Sequence, residues 1–580
     1  MTKHNRSSSA PACTLARQDS TRTLVNNDSD SDSDSTIVSI SLDRSNSKEH
    51  YKKRLTDWQG VTAVNFIGDE SDLEKASLKQ RSKEPYSIFS QAKIRWIVLL
   101  ASIAAFFAPF SVNSYFPAMD AVEKDLGITS QQFNLTVTVF MIFQAVSPSF
   151  WSSMADTRGR RPVYLATLLV YVLACIGLAM VTNYPMLLAF RMLQAFGASS
   201  VIAIGAGTIG KKKSCFKVTP DTIGVSLMQN ARCVFPTADV THPSQRGGYI
   251  GWYSLGWNCG PVVGPAVGGV VSQYLGWRWI FWILAILGGV HWLILGWCLP
   301  ETLRSLVGNG SGYANPTPAQ WWKYRRLGDD EKQKLRETRQ SSPKKKSSSW
   351  LGPFQSLLFA KEKDVLILLV YYSVQYAAVY AVTTSLPLLF GQLYHLNELQ
   401  LGLAYFPNGI GCILGSVVQG KLLNRDYDRL RKRFSVMSAT DLSMPVEKAR
   451  LRTVWIHSLL FNVLLVVYGW CMYVHAHIAV ALVLQFFLGF TSQAIFNCIQ
   501  TLLVDLFPTR SASITASNNI FRCLFGAGAT TAIIPLINAC GVGWSFTIMS
   551  GILLLSRVPL YFEFKYGPRW RRERAERENA

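Results

Sequence analysis

From position 95 onward the chain is a succession of apolar stretches, each near the ~20 residues an α-helix needs to cross a hydrocarbon core. They run over 95–117, 131–151, 163–181, 185–208, 249–273 and 277–299, then 364–390, 400–421, 452–474, 478–503, 517–540 and 543–563, which makes twelve. A backbone placed in lipid must satisfy its own hydrogen bonds, so each stretch is expected to be a helix and the fold an all-α membrane bundle. Six stretches lie on each side of a long polar segment, 302–362, so the chain divides into six-helix halves at 91–301 and 363–566.

Composition agrees: 49% of the 580 residues are hydrophobic, 16% are charged and mean hydropathy is +0.17, too apolar for a soluble enzyme of this size. A net charge of +22 would suit a nucleic-acid binder, but the Lys and Arg sit in short clusters between apolar runs, where loops facing cytoplasmic lipid place them. No nucleic-acid partner is expected. The 11 cysteines are dispersed without paired spacing and read as helix-packing residues, not as a disulfide framework or metal site.

Residues 1–90 are rich in Ser, Asp and Arg ("NNDSDSDSDST"), with too few large apolar side chains for a core, and read as a disordered cytoplasmic tail. They contain no charged-then-apolar secretory pattern with a cleavage site, so the first span is expected to drive insertion. The linker 302–362 is basic, with a surface helix expected near 319–339, and 567–580 is a short basic tail. Basic residues concentrate in the even-numbered connections ("DTRGRRP", "THPSQRGG", "NRDYDRLRKR", "FPTRSAS"), whereas the odd-numbered ones ("AMDAVEKDLGITSQ", "TNYP", "HAH", "CGVG") are acidic or uncharged and only "YLGWRW" carries an Arg. Lys and Arg are retained inside, so both termini are expected in the cytoplasm.

Three motifs then coincide. After the second span, Ser152-Ser153-Met154-Ala155-Asp156-Thr157-Arg158-Gly159-Arg160-Arg161-Pro162 resembles the loop signature of the major facilitator superfamily, with Ser152 in place of the usual glycine. Asp156 can accept charge-assisted hydrogen bonds, Gly159 permits a tight turn and Arg160 and Arg161 meet headgroups, so the loop can latch one access state; plain topological retention is the alternative. The second-half counterpart "GKLLNRDYDR" keeps Gly420 and Arg425 but has Asn424 where a carboxylate is expected, which implies a weaker latch. In the fifth span, Gly256, Gly260, Pro261, Gly264, Pro265, Gly268 and Gly269 resemble the glycine–proline antiporter motif of that superfamily. Small residues at four-residue spacing let a neighbouring helix approach, and prolines loosen the hydrogen-bond ladder. In the fourth span, Arg191, Gln194 and Gly197 resemble a motif whose arginine is linked to proton transfer in relatives, with Ala195 departing from it. An arginine inside an apolar helix is a functional candidate. Its expected partner is missing: the first span offers only Ser111, Asn113 and Ser114, with Asp120 at its outer end.

The second half carries "LLVDLFPTRSASITASNNIFRCLFGAGATTAIIP", in which Asp505, Pro508, Arg510, Ser513, Asn518, Asn519 and Arg522 resemble fungal twelve-span drug:proton antiporters of the branch containing quinidine-resistance and dityrosine exporters. The resemblance covers about 95–567. It implies an alternating-access exporter driven by a proton gradient, without cofactor or metal, taking amphiphilic small molecules, probing no nucleic acid, and working as a monomer in the plasma membrane. Asp505 and Arg510 are expected to pair across a loop. Asn113, Tyr115, Gln144, Gln375, Tyr376, Gln493, Asn497, Asn518 and Arg522 are the candidate substrate-cavity residues, each with interhelical hydrogen bonding as the alternative. His291 could titrate but reads better as packed. No P-loop, catalytic triad, paired-carboxylate site or metal box is present, so an enzyme is not expected. Import of a nutrient by symport stays open, because the first half lacks a membrane carboxylate; a non-transporting sensor is a further alternative.

One segment fits nothing around it. "GTI" before it and "ADVTHPSQRGG" after it supply the two ends of a short family-type loop, while "KKKSCFKVTPDTIGVSLMQNARCVFPT" stands between them. Gly210-Lys211 can be encoded by a sequence containing a splice donor and Thr237-Ala238 by one containing an acceptor, so 211–238 reads as a translated intron; a genuine cytoplasmic loop, tolerable on loop-closure grounds, is the alternative.

Overall fold

The computed structural model describes residues 89–201, 204–205, 246–307, 313–328, 359–434, 446–507 and 511–579. The expected tail 1–90 (but for its last two residues), the insert 211–238, most of the linker and Arg510 lie outside the described residues, as does the side chain of Asp156.

The first half comprises α1 (Gln91–Asn113), a 3-10 turn (Phe116–Ala118), α2 (Met119–Leu126), α3 (Ser130–Arg158), α4 (Arg160–Ala179), α5 (Tyr184–Ala198), α6 (Arg246–Leu275) and α7 (Arg278–Cys298). The short helices α8 (Arg304–Val307) and α9 (Pro318–Arg325) follow. The second half comprises α10 (Lys363–Tyr394), α11 (Glu398–Ala404), α12 (Phe406–Phe434), α13 (Val446–Leu451), α14 (Val454–Tyr473), α15 (Ile478–Leu506), α16 (Ser511–Cys540) and α17 (Val542–Asn579). Among the described residues ten helices are long and apolar enough to cross a membrane. The helices α5 and α6, at the positions expected for the fourth and fifth spans, are not among those ten.

Local chemistry sets the ends. Thr129 and Gln132, Thr317 and Gln320, and Asn397 and Gln400 form reciprocal capping boxes at the starts of α3, α9 and α11, which occupy N–H groups that the first helical turn leaves unpaired. Gly127 ends α2 in the left-handed conformation at φ 60°, which glycine adopts without a Cβ clash.

Burial is inverted relative to a soluble protein. Leu555, Ile456 and Leu293 are 71%, 68% and 63% exposed, while Asn134, Thr136, Gln194, Gln375 and Ser458 are wholly buried. A wide apolar exterior around a polar-threaded interior is what a bilayer-facing bundle requires.

Helix pairing repeats. In the first half α1 packs on α6, α3 on α5 and α4 on α7; in the second, α10 packs on α16, α12 on α15 and α14 on α17. Two seams join the halves, α3 with α16 and α6 with α11 and α12. Exchanging the halves turns one seam into the other, the signature of an internal pseudo-two-fold repeat.

Two boundaries differ from the sequence reading. The surface helix spans Pro318–Arg325, and 329–339 of the expected segment lies outside the described residues. The last helix continues through the expected tail to Asn579, because its arginines find buried carboxylates, as described below.

Candidate functional site

Contacts bridge the halves at the end where α1 turns into α3. On the α3–α16 seam, Gln131 Nε2 donates to the Thr531 carbonyl at 3.0 Å, and the Thr138 and Thr531 hydroxyls meet at 2.8 Å. The seam reaches mid-helix, where Asn519 Nδ2 donates to the Gln144 carbonyl at 3.1 Å. Phe116 stacks with Tyr405 of the opposite half at 6.3 Å between ring centres.

The glycine–proline motif of α6 works on two faces. A Cβ on Gly260 would stand 2.8 Å from Phe110 N, one on Gly264 3.0 Å from Asn113 Cβ, and one on Gly268 2.6 Å from the Ser114 carbonyl carbon, so this stripe lies directly on α1. Pro265 and Gly269 face the other half: a Cβ on Gly402 would come 2.5 Å from the Pro265 oxygen and 3.1 Å from Gly269 Cα. One more turn along, a Cβ on Gly409 would meet Val262 side-chain carbons at 2.9 Å. Pro261 is exposed. The motif therefore binds α6 to its own bundle by one stripe and to the partner bundle by the next.

Among the described residues Arg191, Arg522 and Arg557 lie within the spans, and of these Arg191 is fully buried. Arg191 is 1% exposed, with its guanidinium 3.5 Å from the centre of the Tyr115 ring, 5.3 Å from Phe281 and 5.8 Å from Phe140. Its Nη1 donates to Gln194 Oε1 at 3.0 Å, while Nε and Nη2 have no hydrogen-bond partner. No carboxylate among the described residues reaches it; Asp120 instead lies by Gly391. Placing an arginine at a helix centre costs about 2.5–3.5 kcal/mol on insertion scales, and a desolvated cation–π contact offsets about 2 kcal/mol of that. Arg522 on α16 is half-buried. It donates to Asn519 Oδ1 through Nη2 at 2.9 Å and Nε at 3.3 Å, and lies 5.1 Å from the centre of the Tyr376 ring. Arg557 on α17 donates through Nε to Ser458 Oγ at 2.9 Å.

The candidate cavity residues divide. Tyr376 and Arg522 meet at the junction of α3, α10 and α16, where Gly526 lies against Met141 and Tyr376 and Asn519 bonds to the Gln144 main chain. Asn518 lies alongside, donating to Gln500 Oε1 at 2.8 Å. Gln493 and Asn497 form a chain on α15, Gln493 to Asn497 at 3.3 Å and Asn497 to Ser416 Oγ at 3.1 Å. Three others are committed within one half. Tyr115 is buried between Phe133, Phe281 and Arg191, Asn113 donates to its own helix at Pro109, and Gln375 reaches Tyr371 and Ser458. His291 is buried beside Phe107.

At the opposite end, the α3–α4 loop is built around a residue that the motif reading did not single out. Gly159 sits at φ 116°, ψ 158°, a region that disfavours side chains. Glu301 is 3% exposed, and its Oε1 accepts the backbone N–H groups of Arg160 at 2.8 Å and of Thr302 and Leu303 at 3.0 Å each. Its Oε2 accepts from Asn315 Nδ2 at 2.8 Å. Arg161 Nη1 donates to the Pro316 carbonyl at 2.6 Å and Nη2 to that of Gly296. A carboxylate at the first turn of α4 also complements the helix dipole. Asp156 lies in the last turn of α3.

In the second half, Asp505 pairs with Arg450 of α13 at 2.9 Å, a partner the sequence reading did not anticipate; Arg510 lies outside the described residues. Arg574 pairs with Asp364, and Arg571 with Glu447 at 3.5 Å. Burial pushes the Glu447 carboxyl up, and Arg571 opposes that shift. Gly420 has open space around it, so no close helix approach depends on that glycine.

An all-helical membrane bundle of two halves that repeat the same helix pairing defines the class as a membrane transporter. The model of the Major Facilitator Superfamily matches residues 101–211 and 236–530, and the chain belongs to that family. It is 36% identical over 544 residues to Citrate exporter 1 of Aspergillus niger, spanning 90% of this chain and 97% of that protein. The MFS-type transporter tstD of Talaromyces stipitatus is 32% identical over 515 residues, 86% of each chain. In fold the chain is similar to the xylose transporter XylE from E. coli, with a TM-score of 0.56 at 13% identity over 82% of this chain and 98% of that one. The human organic anion transporter MFSD10 gives 0.50 at 15% identity over 80% and 99%.

Proposed function

We propose that the protein is a proton-coupled exporter of small organic molecules, of the drug:proton antiporter type, with twelve crossings, both termini inside and the plasma membrane as its site. The observation that carries this reading is the two-faced α6 motif, which seats one stripe on α1 and the next on α11 and α12 of the other half. Such a helix can stay fixed in its own bundle while its second face parts from the partner, as alternating access requires. With the basic-loop end taken as cytoplasmic, the described arrangement is the one closed to the outside. The A. niger relative's name supports export over import. Arg191, enclosed by rings and without a carboxylate, is the residue given the coupling role.

The test is direct. Purified protein is reconstituted in vesicles, and a panel of labelled organic acids, amines and neutral drugs is followed under an imposed pH gradient of either sign. Accumulation of a substrate on the acidic side supports antiport. Accumulation on the alkaline side would mean symport, and no gradient-driven movement of any compound defeats the reading.

The family model resumes at 236 after stopping at 211, which supports reading 211–238 as an insertion absent from the functional transporter.

A further inference from the structure

Within the apolar spans the sequence contains no Asp or Glu over 94–119, 126–155, 157–205, 246–300, 365–397, 399–425, 453–504 and 506–562. The same segments carry Arg191, Arg522 and Arg557, of which Arg191 is buried and the other two are half-buried. Two of these have their recorded contacts within one bundle. Arg191 is enclosed by Tyr115, Phe140 and Phe281, and Arg557 bonds to Ser458 within the second half.

Arg522 is placed differently. Three residues before it, Asn519 reaches across to Gln144 of the first half; four residues after it, Gly526 lies against Met141, also of the first half. Its surroundings are phenols, a thiol and amides: Tyr376, Tyr372, Tyr380, Cys523 and Asn519. Asn518 stands four residues from Arg522, on the same helix face. Gln144 Oε1 and Asn518 Oδ1 are buried acceptors without a partner.

We propose that the transported substrate is a small organic carboxylate, anchored by Arg522, with the Gln144 and Asn518 carbonyl oxygens accepting hydroxyl or acid protons from it. The proposal rests on the transport reading above. A half-buried guanidinium that has no carboxylate partner among the described residues is complemented by a substrate carboxylate, which fits its planar fork with two parallel hydrogen bonds. An organic cation entering the same site would meet a like charge with no acid to neutralise either one.

The experiment measures binding first and flux second. Full-length protein in detergent is titrated with citrate, malate and salicylate, with their methyl esters, and with tetraphenylphosphonium, read by intrinsic tryptophan fluorescence. At least one acid should bind saturably, and its ester and the phosphonium should not compete with it. Arg522→Gln should weaken that acid by about 10- to 100-fold, the scale of a lost charged hydrogen-bonded contact. Arg522→Lys, which keeps charge but loses the fork, should fall between. Equal acid affinity in wild type and Arg522→Gln, or equal competition by acid and ester in wild type, overturns the proposal, and the second result stands even if the Gln variant does not fold. Flux separates the two readings: acid binding without gradient-driven movement defeats the exporter and leaves the anchor, whereas gradient-driven movement of the phosphonium but of none of the acids defeats the anchor and leaves the exporter.

Discussion

Glu301 holds the start of the helix that Arg160 begins: its Oε1 accepts the Arg160 backbone N–H at 2.8 Å, although the two are 141 positions apart in the chain. Three buried N–H groups depend on that one oxygen. Glu301→Ala should therefore cost about 1–3 kcal/mol for the donors left unsatisfied, seen as a lower unfolding temperature in detergent together with reduced transport. Glu301→Gln keeps an acceptor and should lose less. An alanine variant as stable and active as wild type contradicts the role.

The Gly402 and Pro265 contact is the second test. A Cβ at Gly402 would stand 2.5 Å from the Pro265 oxygen, whereas nothing lies within 4 Å of one at Gly420. Gly402→Val should wedge the α6–α11 seam and depopulate the closed arrangement, so reporter cysteines along the seam become more accessible to a thiol reagent. Gly420→Ala should be silent. Equal accessibility in the two variants would argue against α6 as a sealing face.

Arg191 is the assigned coupling residue, and its loss should separate drive from binding. Arg191→Ala is expected to abolish uphill movement while ligand affinity in detergent stays within about threefold, since the guanidinium is enclosed in the first bundle. Uphill transport with wild-type pH dependence in that variant removes the assignment.

Much of this organisation is legible in the sequence, and the exceptions share a cause. Hydropathy places the helices because lipid demands length and apolarity, and the α6 glycines declare close packing by their spacing. Which way a span is rotated is another matter. Because α1 and α10 are packed on several sides, no polar stripe marks the cavity, and Tyr115 and Gln375 turn into their own bundles. Partners distant in sequence are equally silent: "LPETLR" gives no sign that Glu301 caps α4, and the basic run after 567 reads as a solvated tail until Arg571 and Arg574 meet Glu447 and Asp364.

The segment 211–238 makes a prediction about the message. Transcripts should lack its codons and join Ile209 through an alanine to Asp239, and a protein without the segment should express and transport at least as well as the full chain. Transcripts that always contain the codons, with loss of transport on deletion, would make it a working loop.

The most direct test of two halves that part and close uses Thr138 and Thr531, whose hydroxyls meet at 2.8 Å across the α3–α16 seam. With Thr138→Cys and Thr531→Cys in one chain, oxidation should form a cross-link in most molecules and stop transport, and a reductant should restore it. Continued transport at the wild-type rate by fully cross-linked protein would contradict the account.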